Sequence, residues 1–516
     1  MTIGELLAFI LYFVIVLAIG TYFFTKTKNN SDKEYFLGGR SMGPWVTAMS
    51  AQASDMSGWL LMGFPGSLLA FGMGKLWIGI GLALGTAANW IFIAKRLRRF
   101  SKASGDSITL PQYLTNRFAS KSSALKVICA IIFLISFTVY VASAFVAGRT
   151  VLCSIIPWFT ESGNEWLALL IFAAIILVYT FMGGYKAVCW TDFFQGLLML
   201  IAILAVPLVM VSTGRFDSSY NAAFAEGVSA FSTNPFTVPW TDIATGLGWG
   251  LGYFGMPHIL VRFMGIEKPS MIKKASTVAI VWVILSLGAA ALIAILGRTY
   301  LLSDGAALAG KLLPGSQNSV FIVAVKDIFP PFIAGLLLAA IIAASMSTAD
   351  SQLLVASSSF TSDLYKPLIR KGNASDKEVG WVGRIVVIII AIIAFFIAAS
   401  GGAWASDIMA MVENAWGLFG AAFGPVVILS LFWKRFNYAG AVAGIVAGAV
   451  ADIAWLLLFT NTVTTTLVAN TGLYEILPGF IVGLIVAVVV TKATPAPTAE
   501  VEAIYVAATD PNVDDG

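Results

Sequence analysis

Met49-Ser-Ala-Gln-Ala-Ser-Asp-Met-Ser-Gly-Trp59 places one carboxylate, Asp55, inside a stretch that runs on through Leu60, Leu61, Met62, Phe64 and Pro65. An unpaired carboxylate at the centre of a membrane costs about 3 kcal/mol on insertion scales. Its neighbours suggest what offsets that cost. Ser50, Ser54 and Ser57 fall at i, i+4 and i+7, a stripe of hydroxyls on one helical face. Gly58, Gly63, Pro65 and Gly66 predict a weakened helix whose freed carbonyls need another partner. An acid, hydroxyls and unwound carbonyls form a hard-oxygen site suited to a small hard cation. The competing reading is an Asp paired with a Lys or Arg of another span.

The rest of the chain sets this site in a membrane. Of 516 residues, 59% are hydrophobic and only 11% charged, which excludes a soluble globular protein and predicts an all-α polytopic one. Apolar runs of about 20 residues predict about thirteen spans, near 6–24, 45–71, 76–94, 127–146, 166–182, 193–211, 243–260, 278–296, 320–358, 382–399, 408–433, 439–459 and 476–490. The ninth is too long for one simple span and predicts a helix extending beyond the membrane. The first has no basic segment before it and no cleavage motif after it, so it reads as a span rather than a signal peptide.

Basic residues crowd alternate loops: Lys26, Lys28, Lys33 and Arg40; Lys95, Arg96, Arg98, Arg99 and Lys102; Lys268, Lys273 and Lys274; Lys366, Arg370, Lys371 and Lys377; Lys434 and Arg435. The intervening loops hold scattered ones such as Lys75, Arg215 and Lys311. By the positive-inside rule the crowded loops are cytoplasmic, the N-terminus is outside and the C-terminus inside. Residues 1–492 then form one integral membrane unit in the cell membrane. Residues 493–516, mixing Pro, Ala and acids, read as a disordered cytoplasmic tail.

Several function classes drop out. Cys129, Cys153 and Cys189 are an odd number in or beside apolar runs, and His258 is the only histidine; neither a disulfide framework nor a His-based metal or catalytic site follows. The chain has no GxxxxGK[S/T] phosphate loop and no nucleophile–base pair, so neither an ATP-driven engine nor an enzyme is expected. A channel would need a ring of like residues or a filter loop, whereas the polar groups here point to one asymmetric pocket.

Thr245-Gly-Leu-Gly-Trp-Gly-Leu-Gly-Tyr-Phe-Gly-Met-Pro-His258 interrupts the seventh expected span with five glycines and a proline. This segment lies five spans after the Asp55 segment, and an odd offset inverts the direction of equivalent helices. That is the layout of inverted five-helix repeats, each with a broken first helix, whose paired interruptions mark a midplane site. Trp59, Trp249 and Tyr253 would supply aromatic walls. Gly246/Gly250 and Gly248/Gly252 also match the spacing of simple close helix packing, and the spacing does not separate the two readings. In the ninth run, Ala344, Ser347 and Thr348 fall at i, i+3 and i+4 on one face. They either complete an oxygen cage opposite Asp55 or bond back to their own helix.

These residues, in this order, resemble the solute:sodium symporter family from about Tyr35 to Gly479. The resemblance is carried by Tyr35-Phe-Leu-Gly-Gly-Arg40, Ser54-Asp-Met-Ser-Gly-Trp-Leu-Leu-Met-Gly63, Gly248-Trp-Gly-Leu-Gly-Tyr-Phe-Gly255 with Pro257-His-Ile-Leu260, Met346-Ser-Thr348 and Phe419-Gly-Ala-Ala-Phe-Gly-Pro425. It implies sodium:solute symport by alternating access, with Na+ as coupling ion and no cofactor. L-proline is the expected solute; another amino acid, a carboxylate or a vitamin, or proton coupling, is the alternative. The implied sodium ligands are the carbonyls of Ala53 and Met56 together with Ala344, Ser347 and Thr348. Asp55 matches the acid needed for coupling, and Ser57 and Gly58 match positions joining ion to substrate. The implied substrate pocket comprises Trp59, Tyr140, Trp249, Tyr253 and Pro257 beside Ser57 and Gly58. Asp350 departs from the pattern, and its role stays open between a peripheral ion contact and a shielded pair.

Overall fold

The computed structural model describes residues 2–26, 32–182, 184–212, 232, 234–303, 317–460 and 470–510. Lys28, Arg215, Lys311 and the tail beyond residue 510 lie outside them. Among the described residues, ten helices are long and apolar enough to cross a membrane. They are α1 (Ile3–Lys26), α4 (Met73–Ala103), α6 (Ala124–Ile155), α8 (Tyr185–Ser212), α11 (Ile272–Ser303), α13 (Pro331–Ile369), α14 (Asp376–Ala399), α15 (Ile408–Phe432), α16 (Tyr438–Phe459) and α17 (Ile476–Ala493). The fifth expected span is the shorter apolar helix α7 (Glu165–Met182).

The second and seventh expected spans are each split in two. Helix α2 (Pro44–Asp55) starts with Pro44 in its first turn, where the missing N–H costs nothing. It ends at Asp55, because Met56 takes φ −84°, ψ 76°. After Ser57 and Gly58 the chain resumes as α3 (Trp59–Phe71). The break therefore adjoins Gly58 and lies ahead of the other residues expected to cause it. Gly63, Pro65 and Gly66 all lie within α3, where Gly63 and Gly66 let Met409 and Asn318 approach closely. The seventh span is α9 (Trp240–Gly248), a tighter segment over Trp249–Phe254, a break at Gly255–Met256, and α10 (Pro257–Gly265) opened by Pro257.

The packing reading of the glycines holds alongside the break. Gly246 and Gly250 lie flush against Trp77, Gly81 and Gly85 of α4, so closely that a Cβ on any of these glycines would meet backbone. The two split spans are also stitched together at both ends by main chain. At one end Met42 N–H donates to Gly265 O (3.3 Å) and Glu267 N–H to Met42 O (3.0 Å). At the other, Met73 N–H donates to Ser232 O (2.6 Å) and Ser232 N–H to Phe71 O (3.1 Å).

Two expectations need correction. The long ninth run is two helices, α12 (Val320–Ile328) and α13, separated where Phe329 and Pro330 leave helical geometry. The tail is not disordered throughout, since Ala499–Thr509 forms helix α18. Its apolar residues find a surface: Val501 and Ala508 are buried, and Tyr505 meets the Phe100 ring edge-on at 5.4 Å. Arg117, at the end of α5 (Leu110–Arg117), anchors it by donating to Val501 O (3.2 Å) and lying over the Tyr505 ring.

The basic loops gather at this same end of the bundle. Arg40 is buried beneath them, with Nε on Asp106 Oδ1 (2.8 Å) and its two Nη groups on Ser101 Oγ (3.1 Å), Ser107 O (2.8 Å) and Met264 O. Burial alone pushes the Asp106 carboxyl up, but Lys33, Arg40 and Lys102 outweigh it and hold it below the usual carboxylate range.

Candidate functional site

Asp55 is the last residue of α2, so its carbonyl has no helical N–H to accept. Three other donors converge on it: Ser57 N–H at 3.0 Å, the Trp59 indole Nε1–H at 3.2 Å and the Tyr140 hydroxyl at 3.4 Å. The Asp55 side chain points elsewhere. Its Oδ2 accepts the Tyr253 hydroxyl at 2.5 Å, and the whole residue is sealed from solvent. The partner is thus neither Lys nor Arg but a phenol on the other split span. One residue joins the two interruptions, and three of the expected aromatic residues meet on it.

Three of the expected ion ligands, Ala53, Ala344 and Ser347, come together. Helix α2 packs against α13, and Ser347 Oγ lies between the two, donating to Ala53 O (2.8 Å) and Ala344 O (3.1 Å). Back-bonding and cross-helix bonding therefore occur in the same hydroxyl. Thr348 Oγ1, one residue on, is buried with no hydrogen-bond partner among the described residues. Ala53, Met56, Ala344, Ser347 and Thr348 are all sealed from solvent. Two freed carbonyls, a helix carbonyl and two hydroxyls are the hard, largely uncharged donors that a sodium ion takes.

Other expected residues fall differently. The serine stripe does not act as a unit: Ser50 donates to Asp192 Oδ2 (2.7 Å), Ser54 bonds back to Ala51 O (3.2 Å), and only Ser57 stays at the break, its Oγ 3.5 Å from Trp59 N. Gly58 is a packing position, since a Cβ there would lie 2.7 Å from Ala147 Cβ and 3.2 Å from Ser345 Oγ. Trp249 does not reach the Asp55 group. Its ring packs 5.2 Å from Tyr474 and 6.5 Å from Trp416, and through Trp416 it connects to Tyr253. Pro257 opens α10, where His258 packs against Phe137 and Tyr140.

Sequence reasoning missed a buried ion pair. Arg262 on α10 meets Asp192 on α8 at 3.3 Å, and both side chains are essentially unexposed. Ser50 and Ser351 hydrogen-bond to both members of the pair. Such a pair is weak evidence for stability, but removing one partner typically costs about 3–5 kcal/mol, because the other is left charged and buried. Asp350 belongs to the same neighbourhood, within electrostatic reach of Asp192 and Arg262, and neither of its carboxylate oxygens has a hydrogen-bond partner among the described residues. Its position beside Ser351, one turn past Ser347, places it near the α2–α13 contact rather than against lipid. Lone charges in apolar spans are a legible signal; their pairing across 70 residues is not.

The sodium:solute symporter family profile matches residues 35–448. The sodium/proline symporter of Escherichia coli strain K12 is 42% identical over 498 residues, covering 96% of this chain and 94% of that protein. The chain belongs to the sodium:solute symporter family. The symporter is 41% identical to the sodium/proline symporter of Staphylococcus aureus strain JH9, over 95% of this chain and 93% of that one. Among solved structures, a Na+-coupled sialic acid symporter in a substrate-bound outward-open state superposes with a TM-score of 0.74 at 21% identity, covering 96% of this chain and 99% of that one. A nucleobase-cation-symport-1 family transporter in a closed conformation gives 0.56 at 15% identity, covering 93% and 99%. At those identities the likeness speaks for the fold. The symporter is a multi-pass membrane transporter and not an enzyme.

Proposed function

We propose that this symporter carries L-proline into the cell with Na+, by alternating access around the two split spans. The supporting observation is the convergence on Asp55. Its carbonyl gathers Ser57, Trp59 and Tyr140, its carboxylate takes Tyr253, and two residues earlier in α2 Ala53 O meets Ser347 of α13. On this reading sodium binds between α2 and α13, with the carbonyls of Ala53, Met56 and Ala344 and the hydroxyls of Ser347 and Thr348 as ligands. Substrate binds beside Ser57, Gly58, Trp59, Tyr140, Tyr253 and Pro257, with Trp249 as a more distant wall. The high identity to two sodium/proline symporters supports proline as the solute.

An imino-acid zwitterion needs its carboxylate and ammonium satisfied and its ring shielded from water. The N-termini of the second half-helices, at Trp59 and Pro257, direct backbone partial positive charge into the break. The Trp59 indole and the phenols of Tyr140 and Tyr253 supply apolar faces carrying one polar tip each. Sodium bound to Ala53 and Met56 would hold the end of α2 in the shape that presents Asp55, so ion and substrate raise each other's affinity by one shared factor. The membrane potential adds about 2.3 kcal/mol per charge per 100 mV to inward movement.

We also propose thirteen spans, the N-terminus outside and the C-terminus cytoplasmic. Spans two to six and seven to eleven form inverted repeats, and residues 1–492 form the membrane unit. The clustering of basic loops at one end and the main-chain stitching of both split spans at opposite ends support this arrangement. The deciding experiment is counterflow of labelled proline in proteoliposomes against unlabelled amino acids, carboxylates and vitamins, with sodium or proton gradients imposed separately. Uptake should need sodium and be competed by proline. Asp55→Asn should abolish the sodium-driven component while the protein still inserts. Uptake driven by protons alone, or indifferent to proline, overturns the assignment.

A further inference from the structure

Two side chains from outside the segment hydrogen-bond to carbonyls of the tight Trp249–Phe254 turns. The Trp249 carbonyl accepts the indole Nε1–H of Trp416 on α15 at 2.8 Å. The Tyr253 carbonyl accepts the Asn89 amide Nδ2–H of α4 at 3.0 Å. Both donors are buried. The Trp416 ring also meets the Tyr253 ring edge-on at 5.0 Å, with an interplanar angle of 85°. Gly252 lies flush between them, where any Cβ would collide with the indole. The segment is therefore held at both ends by different helices, and its Tyr253 hydroxyl is delivered to Asp55 Oδ2.

We propose that Trp416 and Asn89 are positioning residues for the Tyr253–Asp55 bond, and that through them α15 and α4 set how strongly sodium and substrate enhance each other's binding. The inference rests on the sodium-coupled reading above. If α15 moves, the Trp249 carbonyl loses its donor and Tyr253 loses the ring that orients it. The phenol then leaves Asp55, and the ion half of the site no longer senses the substrate half. Neither residue needs to touch ion or solute.

The test measures equilibrium binding of labelled proline to purified protein without sodium and at saturating sodium. The ratio of the two affinities is the coupling factor. Wild-type protein must first show a factor well above one; a factor of one refutes the sodium-coupled reading itself, independently of the variants. Given coupling, Trp416→Phe keeps most of the ring and removes the donor, and Asn89→Ala removes the amide. Each should cut the coupling factor about fivefold, the scale of one lost hydrogen bond. Tyr253→Phe should cut it at least as far. Adding Trp416→Phe or Asn89→Ala to Tyr253→Phe should reduce it no further, because all three act through one bond. A merely structural role lowers the melting temperature and leaves the coupling factor unchanged. That result overturns the proposal, as do effects that add in full to Tyr253→Phe.

Discussion

Asp55 makes its contacts through two separate groups, its main-chain carbonyl and its carboxylate. The carbonyl, freed by the end of α2, organises the break itself; any residue has one. The carboxylate reaches across to Tyr253, and that reach is specific to the side chain. Ser347 makes the matching link between α2 and α13, at the proposed sodium site. Removing both hydroxyls, as Ser347→Ala with Thr348→Ala, should raise the sodium half-saturation about tenfold or more, as expected for two lost oxygen contacts of about 1 kcal/mol each. Proline affinity at saturating sodium should barely change. Sodium titration of uptake decides it, and an unmoved half-saturation means the hydroxyls serve only their own helices. Asp55 and the Ala344–Ser347–Thr348 face were legible because acids and clustered hydroxyls are rare in apolar spans. Trp416 and Asn89 were not, because one Trp or one Asn in a hydrophobic run looks the same whether it fills the core or holds a distant carbonyl.

At the scale of elements, the split spans depend on glycine in two ways that the spacing alone could not separate. Gly246 and Gly250 admit the backbone of α4, while Gly252 and Gly255 admit Trp416 and the Phe419 carbonyl of α15. Gly250→Ala should therefore cost about 1–3 kcal/mol as overpacking, seen as a lower melting temperature in detergent. Gly288→Ala in α11 is the contrast: its Cβ position has nothing within 4 Å, so replacing a mid-helix glycine should gain about 0.5–1 kcal/mol. Equal effects at both positions would mean that the close approach of α4 and α9 carries no strain. Of the residues expected to weaken the helix after Asp55, only Gly58 adjoins the break. Gly63, Pro65 and Gly66 stay within α3, where Gly63 and Gly66 admit Met409 and Asn318, and the helix stops where Met56 turns away.

Across the whole molecule, one end is closed by charge and covered by the last helix. Lys434 pairs with Glu502 at 3.0 Å, Tyr505 donates to Phe432 O at 3.2 Å, and Arg117 binds both Ser430 O (3.1 Å) and Val501 O. Composition suggested disorder for this segment because its few apolar residues count only when a surface awaits them. Tyr505→Ala should lower the melting temperature by a few degrees, the scale of one cation–π contact and one hydrogen bond lost, about 1–2 kcal/mol. It should also expose 499–509 to limited proteolysis; an unchanged cleavage pattern would mean that α18 is held without the Tyr505 ring. The same docking has a consequence in time. Arg117 waits for a carbonyl made 384 residues after it, which at about 5–20 residues per second is roughly 20–80 s of synthesis. During that interval α6 to α17 are made, and Ser430 O becomes available to Arg117 before Val501 does. The full burial of one arginine is therefore a late event in the making of this transporter, since it waits on a helix coded almost four hundred residues downstream.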